Sequence, residues 1–270
     1  VTDLAAYVTA LDQTWQGMAS AVTNLLPAQW DAPTDLPGWS VKDNVAHVAG
    51  LESILLGAPY PAEHVVPDYP WLRHDAGRFM EGPVDVRRPL PGPEVLAEFR
   101  TVTSQRLAAL RALPPSAIDD ETTGVMGRPM KTAHLLGLRA FDCWAHEQDV
   151  RRALGHPGGL SSVAAEVSRR RLLLALTGFA EDVPAAAGRV VVIETTGAIP
   201  SVSTLRLGPD ASLADGPHAS EPDVRACLDF ETFMLLGTGR VTYETVASSV
   251  SLAGDVALGE ELMRHLAVTP

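Results

Sequence analysis

Residues 131–155 read KTAHLLGLRAFDCWAHEQDVRRALG, a long run without an internal proline that closes on a glycine. The run predicts a helix over 131–154 stopped at Gly155, because glycine takes the left-handed conformation that ends a helix. Moving outward, 4–26 carries Leu4, Tyr7, Val8, Leu11, Trp15, Met18, Ala19, Val22 and Leu25 at the spacing of one helical face, ending at Pro27. Ser40, with Asp43 three residues on, imitates a capping box and opens a helix running to about Gly57. Residues 93–113 return to helical spacing through Val95, Leu96, Phe99, Val102, Leu107 and Leu110, and 161–180 makes a fifth segment. An antiparallel α-helical bundle is the simplest way to bury these faces. The proline- and glycine-rich stretch 58–93 reads as a long irregular loop with partial helix around 74–80.

After EDVPAAAG at 181–188 the pattern changes. RVVVIETTG, STLRLG and DVRACLD are short β-branched or alternating runs, followed by a short helix at 230–236, a strand around 248–252 and a last helix at 256–266. The expectation is two domains, 1–183 helical and 189–270 α+β, with no internal repeat.

Composition bounds the function. The longest apolar runs fall far short of the ~20 residues a bilayer requires, and the first fifteen residues do not read as a secretory signal. The 21 basic and 33 acidic residues leave a formal charge of −12, which repels phosphate backbones and anionic lipid. Nucleic acid and membranes are not expected partners. Two cysteines, Cys143 and Cys227, are too few for a disulfide framework and point to a reducing cytoplasm.

The chain has no P-loop, no G-x-G-x-x-G after a strand and no G-x-S-x-G elbow. His146-Glu147 begins like H-E-x-x-H, but Val150 stands where the second histidine belongs. Asp142 and His146 remain, four residues apart and so about 40° apart around one helix. His47, in the middle of the second helix on the stripe of Asn44 and Leu51, is a candidate third ligand from across a bundle. Two imidazoles and a carboxylate suit zinc or another borderline divalent metal and leave a coordination position open. A surface ion pair explains D-x-x-x-H by spacing alone equally well. Asp149 is either a group orienting an imidazole or a partner of Arg151 or Arg152. Cys143 reads as a small buried hydrophobe rather than a soft ligand. Trp39 either lines the mouth of the site or staples the helix start. His74, with His64, Trp71 and Arg73 on the loop, is placed to touch a substrate, and Arg240 either binds an acidic substrate or caps a helix. Arg169, Arg170 and Arg171 read as a solvated helix face.

LPGWSVKDNVAHVAG (36–50) together with FDCWAHEQDVRRALG (141–155) resembles the mycothiol-dependent maleylpyruvate isomerase family within the DinB-like superfamily. LLGTGR and VSLAGDVALGEELMRHL look like that family's smaller α+β domain, related in shape to sterol carrier domains. The resemblance implies a DinB-like four-helix bundle followed by a sterol-carrier-like domain. It implies His47, Asp142 and His146 as ligands of a divalent metal, usually zinc. The founding isomerases carry a glutamate where this chain has Asp142, which places the ion closer to the fourth helix by about 1.5 Å, one carbon–carbon bond.

The function this implies is a zinc- or other metal-dependent mycothiol S-transferase or isomerase, with mycothiol as thiol cosubstrate, a small electrophile as substrate and a cytoplasmic location. The electrophile and the oligomeric state, monomer or dimer, stay open. Two alternatives use the same residues: an apolar-ligand binder with a structural metal, and a metallohydrolase using zinc-bound water.

Overall fold

The computed structural model describes residues 3–268, in two compact units that divide between Val167 and Ser168. The first is helical. Helix α1 (Leu4–Ala21) is capped by Asp3, whose carboxylate accepts from the Ala6 N–H at 2.8 Å. Its buried stripe is Leu4, Val8, Leu11, Trp15 and Met18. It stops short of Pro27 because Asn24 takes a left-handed conformation, φ 63°, which asparagine tolerates better than most residues. Pro27 instead opens the short helix α2 (Pro27–Trp30), where its missing N–H is no loss.

Helix α3 (Val41–Leu55) begins at the expected capping box: the Asp43 N–H donates to Ser40 Oγ and the Ser40 N–H to Asp43 Oδ2. Within the expected loop, the partial helix is longer than its spacing suggested and forms α4 (Asp75–Asp85). Pro83 sits inside it and cannot donate to the Phe79 carbonyl; the Tyr60 hydroxyl does so instead, at 3.2 Å. Helix α5 (Gly92–Arg111) leads to a small hairpin, β1 (Glu121–Thr123) with β2 (Pro129–Lys131), which no sequence signal suggested. Helix α6 (Thr132–Leu154) follows and ends on Gly155 at φ 64°, as its sequence requires.

Helix α1 packs on α6 and α5, and α3 packs on α5 and α6, closing a four-helix ring with α4 laid against α3. The core they share includes Leu11, Leu51, Phe99, Leu136 and Trp144. Two of these helices, α3 and α6, face each other with polar residues in that buried setting.

Helix α7 (Val163–Leu176) spans the division between the units. Compactness thus separates the chain earlier than 181–188, a segment that forms 3₁₀ turns in the second unit. There, β3 (Val190–Thr196), β4 (Ser201–Arg206), β5 (Ser212–Asp215), β6 (Val224–Asp229) and β7 (Ser251–Gly254) make one mixed sheet in the order β5-β4-β3-β6-β7. Strand β3 runs parallel to β6; the other pairings are antiparallel. Helices α8 (Phe230–Gly237) and α10 (Val256–Arg264) pack on the sheet, with the short α9 (Tyr243–Val246) between them. The edge strand β5 was not foreseen, because SLAD lies mostly exposed and has no apolar alternation. Arg169 also corrects the expectation of a solvated face: it is buried and donates to Ser203 Oγ at 2.9 Å. Among the described residues, no helix is long and apolar enough to cross a membrane.

The Ser40 cap anchors the start of the helix that carries His47. Ser40→Ala should lower unfolding stability by about 1 kcal/mol, measured by urea titration; an unchanged midpoint would show that the cap bond contributes nothing here.

Candidate metal centre

Helix α3 projects His47, and Asn44 one turn before it, toward α6. Helix α6 answers with Asp142, His146 and Asp149. The sequence folds this way locally because residues three and four apart share one helical face, so each helix offers a short column of polar groups to the other. His47, Asp142 and His146 each bring one potential ligand atom, all within 4.8 Å of one another. His47 Nε2 lies 3.2 Å from Asp142 Oδ2, and His146 Nε2 lies 3.6 Å from Asp142 Oδ1. The imidazole rings meet edge to face at 4.6 Å. Asp142, though shorter than glutamate, therefore reaches both histidines.

The second nitrogen of His146 fixes its tautomer. Its Nδ1 lies 2.8 Å from Asn44 Oδ1, which can only accept, and 3.5 Å from Asp149 Oδ2. The proton therefore sits on Nδ1 and leaves the Nε2 lone pair aimed at Asp142 and His47. Asp149 contacts both His146 and Arg152, its other oxygen accepting from Arg152 at 2.6 Å.

The two imidazoles titrate apart. Burial pushes His47 down to about 4, against the pull of Asp142, so it is neutral near pH 7. Burial alone would lower His146 too, but Asp142 and Asp149 hold it above its ordinary value. Burial opposes ionisation of Asp142 as well, yet Arg139 and then the histidines keep it well below the usual carboxylate range.

Arg139, one turn before Asp142, is fully enclosed. Its Nη1 donates to Asp142 Oδ2 at 2.7 Å, its Nε to Glu52 Oε1 at 2.7 Å and its Nη2 to Cys143 Sγ at 3.3 Å. Arg106 Nε reaches the other Glu52 oxygen at 3.2 Å. Cys143 is buried and outside the ligand cluster, and burial pushes its thiol up, so it stays protonated. Glu147 points away: it accepts from Arg151 at 2.7 Å, and a side chain at Gly17 on α1 would strike it.

Trp39 walls the site, stacked on His146 at 5.5 Å between ring centres and tilted against His47 at 5.0 Å. Its indole N–H donates to Glu81 Oε2 at 2.9 Å, and Trp71 donates to the same oxygen at 3.2 Å. Gly38, at φ 77°, lets the Trp71 ring approach so closely that a Cβ would sit 2.5 Å from it. Tyr69 stacks on Trp71 and donates to Asp85, which His64 also contacts at 2.6 Å, and Arg88 pairs with both Asp85 and Glu81. The loop is thus tied to α4 beside the aromatic wall. His74 accepts from the Gly77 N–H as the cap of α4. Arg240 belongs to the second unit, where it donates to the Thr238 carbonyl at 2.5 Å after α8. Sequence reading passed over Asn44 as a partner, and Arg139, Glu52 and Glu81 altogether. Asn44 and Arg139 each stand three residues before a candidate ligand; Glu52 and Glu81 have no such local mark.

The family model for the mycothiol maleylpyruvate isomerase N-terminal domain matches residues 11–151. The chain belongs to this family. All the residues of the centre lie inside the matched segment. Mycothiol maleylpyruvate isomerase architecture extends further: the crystal structure of the mycothiol-dependent maleylpyruvate isomerase superposes over 93% of this chain and 92% of that chain, with a TM-score of 0.58 and 16% identity. Likeness at that identity shows a shared fold. Uncharacterized proteins from two strains of Mycobacterium tuberculosis are 23% identical over 155 residues, 57% of this chain and 59% of theirs. The chain thus spans about three fifths of the length of the curated relatives it matches. A sterol carrier protein from Yarrowia lipolytica matches 42% of the chain at a TM-score of 0.29, too low to define a common fold.

Because His146 holds its proton above the ordinary pKa, protons would compete at low pH with any metal bound through Nε2. Zinc affinity should fall about tenfold for each pH unit below that raised value. Titration against a chromophoric chelator at pH 6, 7 and 8, corrected for the chelator's own protonation, checks this; a pH-independent affinity would exclude His146 as a ligand.

Proposed function

We propose that the chain is a divalent-metal enzyme that uses mycothiol to attack a small electrophile, as a transferase or as an isomerase. The observation that carries it is the convergence of two imidazole nitrogens and one carboxylate oxygen between α3 and α6, inside the matched family segment. The donor set fits a borderline ion such as zinc: Asp142 approaches His47 through Oδ2 at 3.2 Å and His146 through Oδ1 at 3.6 Å, each near the roughly 3.3 Å between neighbouring ligands at ~2.0–2.1 Å from a tetrahedral centre. His47, Asp142 and His146 would hold the ion. A divalent ion there would supply the Lewis acidity that keeps a thiol as its thiolate, the nucleophile that both transfer and addition–elimination isomerisation require.

The chain's own residues prepare that chemistry. His47 is kept neutral by burial, so its lone pair is available near pH 7. Asn44 and Asp149 orient the second imidazole. Trp39 covers both rings with an apolar face and keeps water from one side. Three protein ligands leave a position for a thiol. The structural relative is a mycothiol-dependent maleylpyruvate isomerase, and maleylpyruvate is that protein's substrate. For this chain mycothiol follows from the family, and the electrophile is left as a class.

The purified protein should contain about one equivalent of zinc or a related metal by mass spectrometry, and His146→Ala should lose it together with mycothiol-dependent consumption of an electrophile such as monobromobimane. We expect that loss to be on the order of 100-fold, the upper end for a disturbed metal site. Equal turnover with and without mycothiol would overturn the thiol reading in favour of hydrolysis by bound water.

A further inference from the structure

We infer that Arg139 is a positioning residue that keeps Asp142 a one-oxygen ligand and so preserves the open position where a thiol enters. The inference rests on the metal reading above and concerns a residue that contacts a ligand rather than the ion. Asp142 has two oxygens in unequal settings. Oδ2 accepts from Arg139 Nη1 at 2.7 Å and also lies 3.2 Å from His47 Nε2, while Oδ1 faces His146 Nε2 at 3.6 Å. A carboxylate with both oxygens free is able to chelate through both. One clamped by a guanidinium has a lone pair of Oδ2 occupied and its plane fixed.

The clamp is itself immobile. Arg139 is 4% exposed, and its three donor nitrogens are spread over Asp142, Glu52 and Cys143. Glu52, fully buried, is held from its other side by Arg106. Swinging Arg139 away from Asp142 would require breaking the Glu52 pair in a dry interior, where an unpaired charge is costly. The clamp also offsets the charge of Asp142. The charges of Asp142, Glu52, Arg139 and Arg106 sum to zero, so a divalent ion there would keep its attraction for a thiolate undiminished by excess local anion.

A crystal structure of the wild-type chain loaded with zinc tests this without any variant. The expected result is one Asp142 oxygen, Oδ1, on the ion with Arg139 still on Oδ2. Both oxygens on the ion, or Arg139 withdrawn, overturns the proposal and leaves the metal reading standing; no ion at His47, Asp142 and His146 overturns both. Cobalt(II) supplies a solution readout, since its visible absorption weakens as coordination number rises. Arg139→Met combined with Glu52→Gln, which avoids stranding a buried carboxylate, should still bind cobalt but with a weaker visible band. It should also bind 2-mercaptoethanol about tenfold more weakly, read from the sulfur-to-cobalt charge-transfer band, and Arg139→Lys should recover part of both signals. Lower thermal stability with an unchanged spectrum and unchanged thiol affinity would mean a structural role only and overturn the proposal.

Discussion

The carboxylate of Asp142 is shared between a guanidinium and two imidazoles, and the helical unit is organised around that sharing. Asp142 is half-buried, and the charges of Arg139, which it meets, and of Glu52 are buried, where an unpaired charge costs several kcal/mol. Helix α6 supplies Arg139 and His146 from its own turns, and α3 supplies His47 and Glu52. Each contact reaches the opposing helix or fixes a residue that does. The pairing of α3 with α6 is therefore specified by polar complementarity as well as by apolar packing, and a rotation of either helix by one residue would leave a buried charge unmatched.

The same sharing explains why neighbouring imidazoles have opposite tendencies. His47 has one carboxylate nearby and an enclosing wall, so burial dominates and it gives up its proton readily. His146 touches two carboxylates, which outweigh an equally complete burial. Asn44 then decides which nitrogen of His146 carries the proton. Around this centre the aromatic wall is fastened by the buried carboxylate of Glu81, which accepts from both Trp39 and Trp71. The loop that supplies Trp71 is held to α4 by ion pairs and stacking, not by regular secondary structure.

Much of this was legible in the chain itself. The helix over 131–154 and its glycine stop were visible because both depend on neighbouring residues. The Ser40 cap, the helix that starts at Val41 and the Asp142/His146 pair were legible for the same reason. What was missed depended on contacts distant in sequence. The β1–β2 hairpin and β5 are short and largely exposed, so they carry no periodic signal. Arg169 looked solvated among three consecutive arginines until Ser203, on a strand far along the chain, gave it a buried partner. Arg139 and Glu52 looked like ordinary helix charges, since nothing local marks a charge as buried.

The sequence by itself determined which residues share a helical face, because a rise of about 1.5 Å and a turn of about 100° per residue fix that geometry wherever the helix lies. Asp142 and His146 were bound to converge on one side of α6, and Asn44 and His47 on one side of α3. Only the tertiary structure decided that these two faces meet, that Asn44 sets the tautomer of a histidine on another helix, and that Arg139 takes one oxygen of Asp142 and leaves the other toward His146. Those outcomes depend on how separate helices pack, which is set by many distant side chains at once and by the need to pair every charge that packing buries.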